Sequence, residues 1–194
     1  MYPYFQYIDI PNLSDIQQQV YQNYDAILAE REQEGVNTAT HKVNAFSVFI
    51  VGTNSIFKYS PALVDFLDSV NLKEHLKVVA FVTVDGHAKG APHADVFYSN
   101  CINLPIHNCE GGLTYFYADQ EGEAVAAGGK LKAGYKLIRE PGEVLATADV
   151  NRPQWFNTFK IHQAVNEGPG TRYSMSLRFG KDWDPVLHRN TKLV

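Results

Sequence analysis

The stretch APHADVFYSN, residues 91–100, carries His93 and Asp95 one residue apart, where a Gly/Pro-rich run gives way to an aromatic one. On an extended segment alternate side chains share a face, so this imidazole and this carboxylate are offered together to one ion. Imidazole nitrogen and carboxylate oxygen both suit a borderline divalent metal such as Fe(II). Two histidines and one carboxylate on one octahedral face leave three positions open. His-x-Asp alone is a weak motif, as much at home at a polar loop end. A third ligand has to come from elsewhere in the chain.

The segment FKIHQAVNEGPGTRYSMSLRFG, residues 159–180, supplies a candidate in His162 and adds a strict alternation behind it. Arg172, Ser174, Ser176 and Arg178 alternate with Tyr173, Met175, Leu177 and Phe179, so a strand here has one polar face with two guanidinium groups and one apolar face. A charged face inside a closed β structure calls for an anionic partner. If Gly168-Pro169-Gly170 closes a hairpin, His162 and Arg172 come near each other. Arginine grips a carboxylate through two parallel hydrogen bonds, and Ser174 adds a hydroxyl from the same face. Such a pair would hold the far end of a dicarboxylate whose near end sits on the metal. The competing reading of Arg172 is an ion pair at a barrel rim, and Arg178 is either a second anion partner or such a rim residue. Tyr98, Asn103, Asn108 and Thr114 fall on runs expected to line the barrel. Each is a candidate contact for the bound acid or the substrate. Trp155 is a candidate wall of the substrate cleft or a core residue.

The elements that must position these groups are read from periodicity. Residues 14–35 predict one amphipathic helix, with Ser14 as N-cap, Gln17 as its capping-box partner, Ile16, Val20, Tyr24, Ile27 and Leu28 on one face, and Gly35 as the stop. Residues 60–76 predict a second helix, with Ser60 as cap, Pro61 in the first helical position and Leu63, Phe66, Leu67 and Val70 at helical spacing. The chain beyond residue 76 is strand-like: KVVAFVTVDG, VFYSNCINLPIHN, GLTYFYAD, YKLIRE, EVLATAD, FKIHQAVN and RYSMSLRFG are short β-prone runs divided by Asp-Gly, Gly-Gly and Pro-Gly turns. HKVNAFSVFIVG adds an outer strand. Seven or eight strands without intervening helices predict a mainly β protein with N-terminal helices, a sandwich or jelly roll rather than a parallel α/β sheet. The layout expected is a single domain: helical support and an outer strand over 1–76, the β core over 77–181 and a tail over 182–194.

Composition bounds the partners. The chain has 194 residues, 45% hydrophobic and 20% charged, with a formal net charge of −4, which gives no electrostatic footprint for nucleic acid. The N-terminus lacks a basic segment followed by an apolar run, and no apolar stretch is long enough to span a bilayer, so a cytoplasmic protein with no membrane partner is expected. The two cysteines, Cys101 and Cys109, fit no metal-binding or redox spacing and read as packed thiols. A Cys/His set with His107 and a loop set of Asp85, His87 and His93 rank below the main constellation. The loop HAKGAP, residues 87–92, reads as a mobile cover over the site.

Taken in order, HAD at 93–95, His162 and RYS at 172–174 make the chain resemble the 2-oxoglutarate and Fe(II)-dependent dioxygenases of the prolyl and aspartyl hydroxylase kind. INLPIHNCEGGLTYFY, residues 102–117, is similar to the strand, Gly-Gly turn and strand that come after the first two ligands in that family. The resemblance spans about residues 78–180. It implies a double-stranded β-helix of the jelly-roll, cupin-like type, with His93, Asp95 and His162 on Fe(II), Arg172 on the distal carboxylate of 2-oxoglutarate and Ser174 assisting. Asn103 and Tyr98 are further candidate co-substrate contacts, and Trp155 and Asn108 candidate substrate contacts. The implied reaction uses O2, releases succinate and CO2, and hydroxylates an amino-acid side chain, free or in a peptide, or a small metabolite. Asp95 favours hydroxylation, since halogenating relatives carry a small residue there. The alternatives are a cupin-like metalloenzyme that does not use 2-oxoglutarate and a non-catalytic β-helix binding module. Substrate identity and oligomeric state stay open at this level, with residues 87–92 and 119–134 the expected seats of specificity.

Overall fold

The helical pattern at residues 14–35 divides where Asn23 competes with the backbone. In the computed structural model, which describes residues 4–33, 41–43, 45–95, 100–118, 135–138 and 140–180, α1 (Leu13–Gln22) ends at Asn23 and α2 (Tyr24–Gln33) begins after it. Asn23 takes φ −105° and ψ 12°, and its Nδ2 donates to the Gln19 carbonyl at 2.8 Å. This side-chain bond competes with the continuing ladder. Asn12 precedes α1 in place of the expected Ser14 cap, and Gln17 donates to the Pro105 carbonyl at 3.0 Å, tying the helix to the sheet instead of capping it. The predicted face survives the break: Ile16, Val20 and Ile27 are fully buried.

A short helix absent from the sequence reading, α3 (Thr53–Tyr59), has too few residues to show a period. The second predicted helix, α4 (Pro61–Ser69), begins after Ser60 with Pro61 in its first turn as expected, but stops short of residue 76. Asn71 adopts φ 56°, and the Leu72 amide closes onto the Leu67 carbonyl at 2.8 Å, a left-handed helix end.

The strands are β1 (Phe5–Tyr7), β2 (His41–Val43), β3 (Phe46–Val51), β4 (Leu76–Val84), β5 (Ala88–Lys89), β6 (His93–Asp95), β7 (Asn100–His107), β8 (Gly112–Tyr117), β9 (Tyr135–Leu137), β10 (Val144–Asp149), β11 (Gln154–Asn157), β12 (His162–Asn166) and β13 (Arg172–Phe179). They form a large sheet in the order β1-β11-β7-β13-β4-β3-β2 and a small sheet in the order β10-β8-β12-β6-β9, with β5 beside β12. The pairings within both sheets are antiparallel, and from β4 onward the chain passes repeatedly from one sheet to the other. The fold is a jelly roll, the double-stranded β-helix expected.

Alternation assigns the faces. Ile102, Leu104, Trp155, Met175, Leu177 and Phe179 point out of the large sheet into one core with Ile16, Val20, Ile27, Ile56, Leu63, Phe66 and Leu67 of the helices. Each such side chain contributes about 1.5–3 kcal/mol on burial. The opposite face of β13 carries Arg172, Ser174, Ser176 and Arg178 and looks into the barrel, where Cys101, Phe116, Ala148 and Phe156 form a second, smaller cluster.

Two sequence expectations change here. Gly168-Pro169-Gly170 does not close a hairpin: β12 lies in the small sheet and β13 in the large one, so the turn carries the chain across the barrel. The segment 87–92 is not a loose cover. β5 pairs Lys89 with Val165, the Gly90 amide donates to the Ala164 carbonyl at 2.8 Å, and Gln163 Nε2 donates to the Gly90 carbonyl at 2.7 Å. Both crossings meet at Asn166, a buried residue whose Nδ2 lies 3.0, 3.2 and 2.7 Å from the carbonyls of Val84, Asp85 and Gly170, while its Oδ1 accepts the Gly168 amide at 3.1 Å. One amide thus joins the end of β4 to the turn before β13. Asn166→Ala leaves these backbone groups unanswered inside the protein and should lower stability by about 2–3 kcal/mol, read by urea denaturation. A loss below about 0.5 kcal/mol would show that the crossings hold without it.

Candidate functional site

The two histidines singled out from the sequence meet across two strands. His93 of β6 and His162 of β12 are Cα partners, and their rings lie 4.3 Å apart between centroids. The Nδ1 of His93 lies 2.9 Å from the Ala91 carbonyl, and the Nδ1 of His162 lies 2.8 Å from the Lys160 carbonyl. A carbonyl only accepts, so each Nδ1 is the protonated nitrogen, and in the neutral ring Nε2 carries the lone pair. Such a tether from ring nitrogen to main chain is the one that orients histidines in metal sites. Burial, reinforced by the neighbouring His93, pulls the His162 pKa from 6.5 to about 3, so the ring is neutral at ordinary pH. Phe156 meets His162 edge-on at 5.3 Å and Phe116 lies 6.3 Å away, closing that side with apolar surface.

Asp95, at the other end of β6, is buried, its amide donating to the Thr158 carbonyl at 2.8 Å. Its Oδ2 lies 3.6 Å from Nη1 of Arg178 on the interior face of β13. In this conformation no three His, Cys, Asp or Glu side chains among the described residues are gathered closely enough to hold an ion. The two imidazoles are together, and the carboxylate faces arginine. Arg178, weighed from the sequence as an anion partner or an ion-pair residue, takes the second role, on the very carboxylate singled out as a ligand.

Arg172 differs. It is the largest side chain among the fully buried ones, 2% exposed, and its Nε and Nη1 have no hydrogen-bond partner among the described residues. Burial lowers its pKa from 12.5 to about 10, which leaves it a cation at neutral pH. Asp95 and Arg172 are the formally charged side chains among the buried described residues, and the carboxylate already has Arg178. A buried cation without an anion is costly, and the described residues supply Arg172 with none. Gly112 makes the room: a Cβ there would lie 2.9 Å from Arg172 Nη1 and 2.9 Å from the Cys109 carbonyl. The His162 rung of β12 pairs with Phe116 and the Asn166 rung with Gly112, four residues along the strand, or about 13 Å.

The remaining candidates divide. Ser174 lies on the interior face two residues from Arg172, buried, its hydroxyl donating to the Val82 carbonyl at 3.3 Å. Asn103 also faces the interior, paired in register with Ser176 and Gln154, and Thr114 is a buried residue of β8 opposite Ala164. Tyr98 lies outside the described residues, as do 119–134 and the tail over 182–194.

Two expectations are overturned. Trp155 is not a cleft wall: it points out of the barrel into the helix-facing core, stacked on Phe179 at 5.9 Å, and the next residue, Phe156, is the one that faces His162. Asn108 is not on a barrel strand. It takes φ 51° in the turn after β7, donates to the Thr171 carbonyl at 3.4 Å and lines a separate cleft of about 540 Å³ with Gln17 and Gly170. Phe156, Phe116 and Asn166 are the residues that sequence reasoning missed. The alternation of QWFN in β11 would have pointed to Phe156 had that strand been recognised. The Cys/His set is not gathered either: no metal-holding group forms among the described residues, and His107 stacks on Tyr21 of α1 at 3.9 Å.

No protein-family model and no curated protein matches the chain. Among solved structures it is similar to oxalate decarboxylase of Bacillus subtilis, a protein with Mn(II) centres, at 12% identity and TM-scores of 0.40 and 0.41, over 75% of this chain and 28% of that one. It is also similar to vicilin of hazelnut, Corylus avellana, at 9% identity and TM-score 0.40, over 74% of this chain and 32% of that one. The chain thus spans about a third or less of the length of these proteins. Among the described residues no helix is long and apolar enough to cross a membrane.

The orphaned guanidinium yields a direct test. Arg172→Met removes a buried charge that lacks a partner among the described residues and should raise the stability of the ligand-free protein by about 1–4 kcal/mol in chemical denaturation. A loss of stability instead would mean that Arg172 is already satisfied.

Proposed function

We propose that this protein is a non-haem Fe(II) enzyme that uses 2-oxoglutarate and O2 to hydroxylate an amino-acid side chain, free or in a peptide, or a small metabolite. The observation that carries the reading is Arg172, a buried cation whose Nε and Nη1 have no partner among the described residues, facing the barrel that holds the His93–His162 pair. His93, His162 and Asp95 would hold the metal, the first two through Nε2, since Nδ1 of each ring is tethered to a main-chain carbonyl. Arg172 would take the distal carboxylate of the co-substrate with two N–H donors, and Ser174 would add a hydroxyl. A dianion answers the charge of Arg172 and of a divalent ion together.

When bound, iron with 2-oxoglutarate supplies the oxidising power for O2 activation, with succinate and CO2 as co-products. The protein's own part is positional. Arg172 fixes one end of the co-substrate, the histidine pair is held in orientation by its tethers with His162 kept neutral by burial, and Phe116 and Phe156 keep water from that side of the pair.

A second reading has one observation in its favour: Asp95 is held by Arg178, which leaves two imidazoles as the gathered donors. On that reading the barrel is a cupin-like metalloenzyme without 2-oxoglutarate, or a binding module for a small anion. Anaerobic titration of metal-free protein with Fe(II) and then 2-oxoglutarate separates them. The proposed function expects a visible charge-transfer band of a metal-chelated 2-oxo acid, an Arg172→Met variant that needs about 100-fold more 2-oxoglutarate, and an Asp95→Ala variant that folds but loses coupled hydroxylation. Metal binding with no band, or a band indifferent to Arg172, favours the second reading.

A further inference from the structure

The cleft of about 540 Å³ that Asn108 lines is walled by the turn between β7 and β8, by Gln17 of α1, by Asn151 and by the crossing Gly168-Pro169-Gly170. That volume accommodates a small organic molecule. Its walls are tied to one another by the main chain. The Gly168 amide donates to Asn166 Oδ1 at 3.1 Å, the Gly168 carbonyl accepts the His87 amide at 3.0 Å, and the Glu167 amide donates to the Gly111 carbonyl at 2.9 Å. A Cβ at Gly168 would lie 2.8 Å from the Glu110 carbonyl, so the crossing and the turn are in direct contact.

The polar groups on these walls are unequal in kind. Gln17 commits its Nε2 to the Pro105 carbonyl at 3.0 Å, and Asn108 commits its Nδ2 to the Thr171 carbonyl at 3.4 Å. Among the described residues this leaves the oxygens, Oε1 and Oδ1, as the parts of both carboxamides that have no partner. The Glu110 carboxylate is exposed and joins no ion pair among the described residues, and no described lysine or arginine lines the cleft. Two further carboxylates stand close behind: Asp149, whose Oδ1 accepts the Asn151 amide at 2.8 Å, and Asp85, whose Oδ1 accepts the hydroxyl of Thr171, next to Gly170, at 3.1 Å. Arg152, which follows Asn151, lies instead over the Tyr7 ring at 3.9 Å, and Arg172 belongs to the barrel interior.

We propose that this cleft is a binding site for an organic cation, an ammonium or guanidinium group, with Glu110 as its counter-ion and Oε1 of Gln17 and Oδ1 of Asn108 as neutral acceptors. Such a cation brings donors and no acceptor, and the cleft offers acceptors and negative charge. The bond from the cation to Glu110 is charge-assisted and sets the orientation. His107, stacked on Tyr21 at 3.9 Å, adds a planar wall of the kind a guanidinium lies against. The site stands apart from the barrel interior and requires neither a metal nor 2-oxoglutarate.

The test titrates the full chain, free of metal, with agmatine, which carries both cationic groups, and follows the amide NMR signals of isotope-labelled protein. Agmatine is expected to shift the signals of Asn108, Gly168 and Gly170 in a saturable way, whereas propionamide and succinate leave them in place. Glu110→Gln, an exposed substitution that keeps the shape and removes the charge, should weaken agmatine binding by about tenfold. Asn108→Gly, which keeps the left-handed turn and removes the carboxamide, should weaken it by about threefold. A blocked peptide with one central arginine, titrated alongside, identifies the source: tighter binding than agmatine points to a protein side chain, weaker binding to a free amine. Unchanged agmatine affinity in Glu110→Gln, binding of succinate at the same residues, or no saturable shift up to about 10 mM agmatine overturns the proposal. The proposed function is untouched by any of these outcomes, because none of its assigned residues lines this cleft.

Discussion

Strand β13 is covered on both faces, and its two faces could hardly differ more. Tyr173, Met175, Leu177 and Phe179 lie toward the helices, and Arg172, Ser174, Ser176 and Arg178 toward the barrel. A one-residue slip would drive two guanidinium groups into the apolar core, so the register against β4 and β7 is fixed by electrostatics as much as by packing. The helices α1 to α4 exist, in this sense, to cover the apolar face. The small sheet exists to enclose the polar one.

Within that enclosure charge is distributed unevenly. The carboxylate of Asp95 is matched by Arg178 at 3.6 Å, while Arg172, at the other end of β13 beside Gly112, has no partner among the described residues. The interior is thus polarised along the barrel axis, with two imidazoles and an arginine-paired carboxylate at one end and, among the described residues, an unpaired cation at the other. Stability is spent on this arrangement, since a buried cation without a partner is an unfavourable thing to fold around. Asn166 shows how the geometry is kept: one side chain answers backbone groups of two crossings and fixes where Arg172 enters the barrel.

What was legible in the sequence was what obeys short periods. The alternation in RYSMSLRF located the polar interior face, and His-x-Asp with a later histidine located the pair that meets in space. What was not legible depends on which sheet a strand joins. A Gly-Pro-Gly turn serves a hairpin or a crossing equally well, and nothing local to residues 167–171 distinguishes them. Trp155 and Phe156 illustrate the same limit: β11 was not recognised as a strand, so the parity that puts the phenylalanine inside and the tryptophan outside could not be applied. Asn23 and Asn71 ended helices through local hydrogen bonding and a left-handed turn, choices that hydrophobic periodicity does not record.

The tethers of the two histidines carry a consequence for how this chain can change. Each Nδ1 is held by the carbonyl two residues upstream, Ala91 for His93 and Lys160 for His162. Main-chain oxygen is present whatever the side chain, so the orientation of both rings is insulated from substitution at their neighbours. Sequences descended from this one could therefore drift widely around positions 91 and 160 and still present the same pair of nitrogens, which lets the barrel diverge in what it admits without rebuilding what it holds.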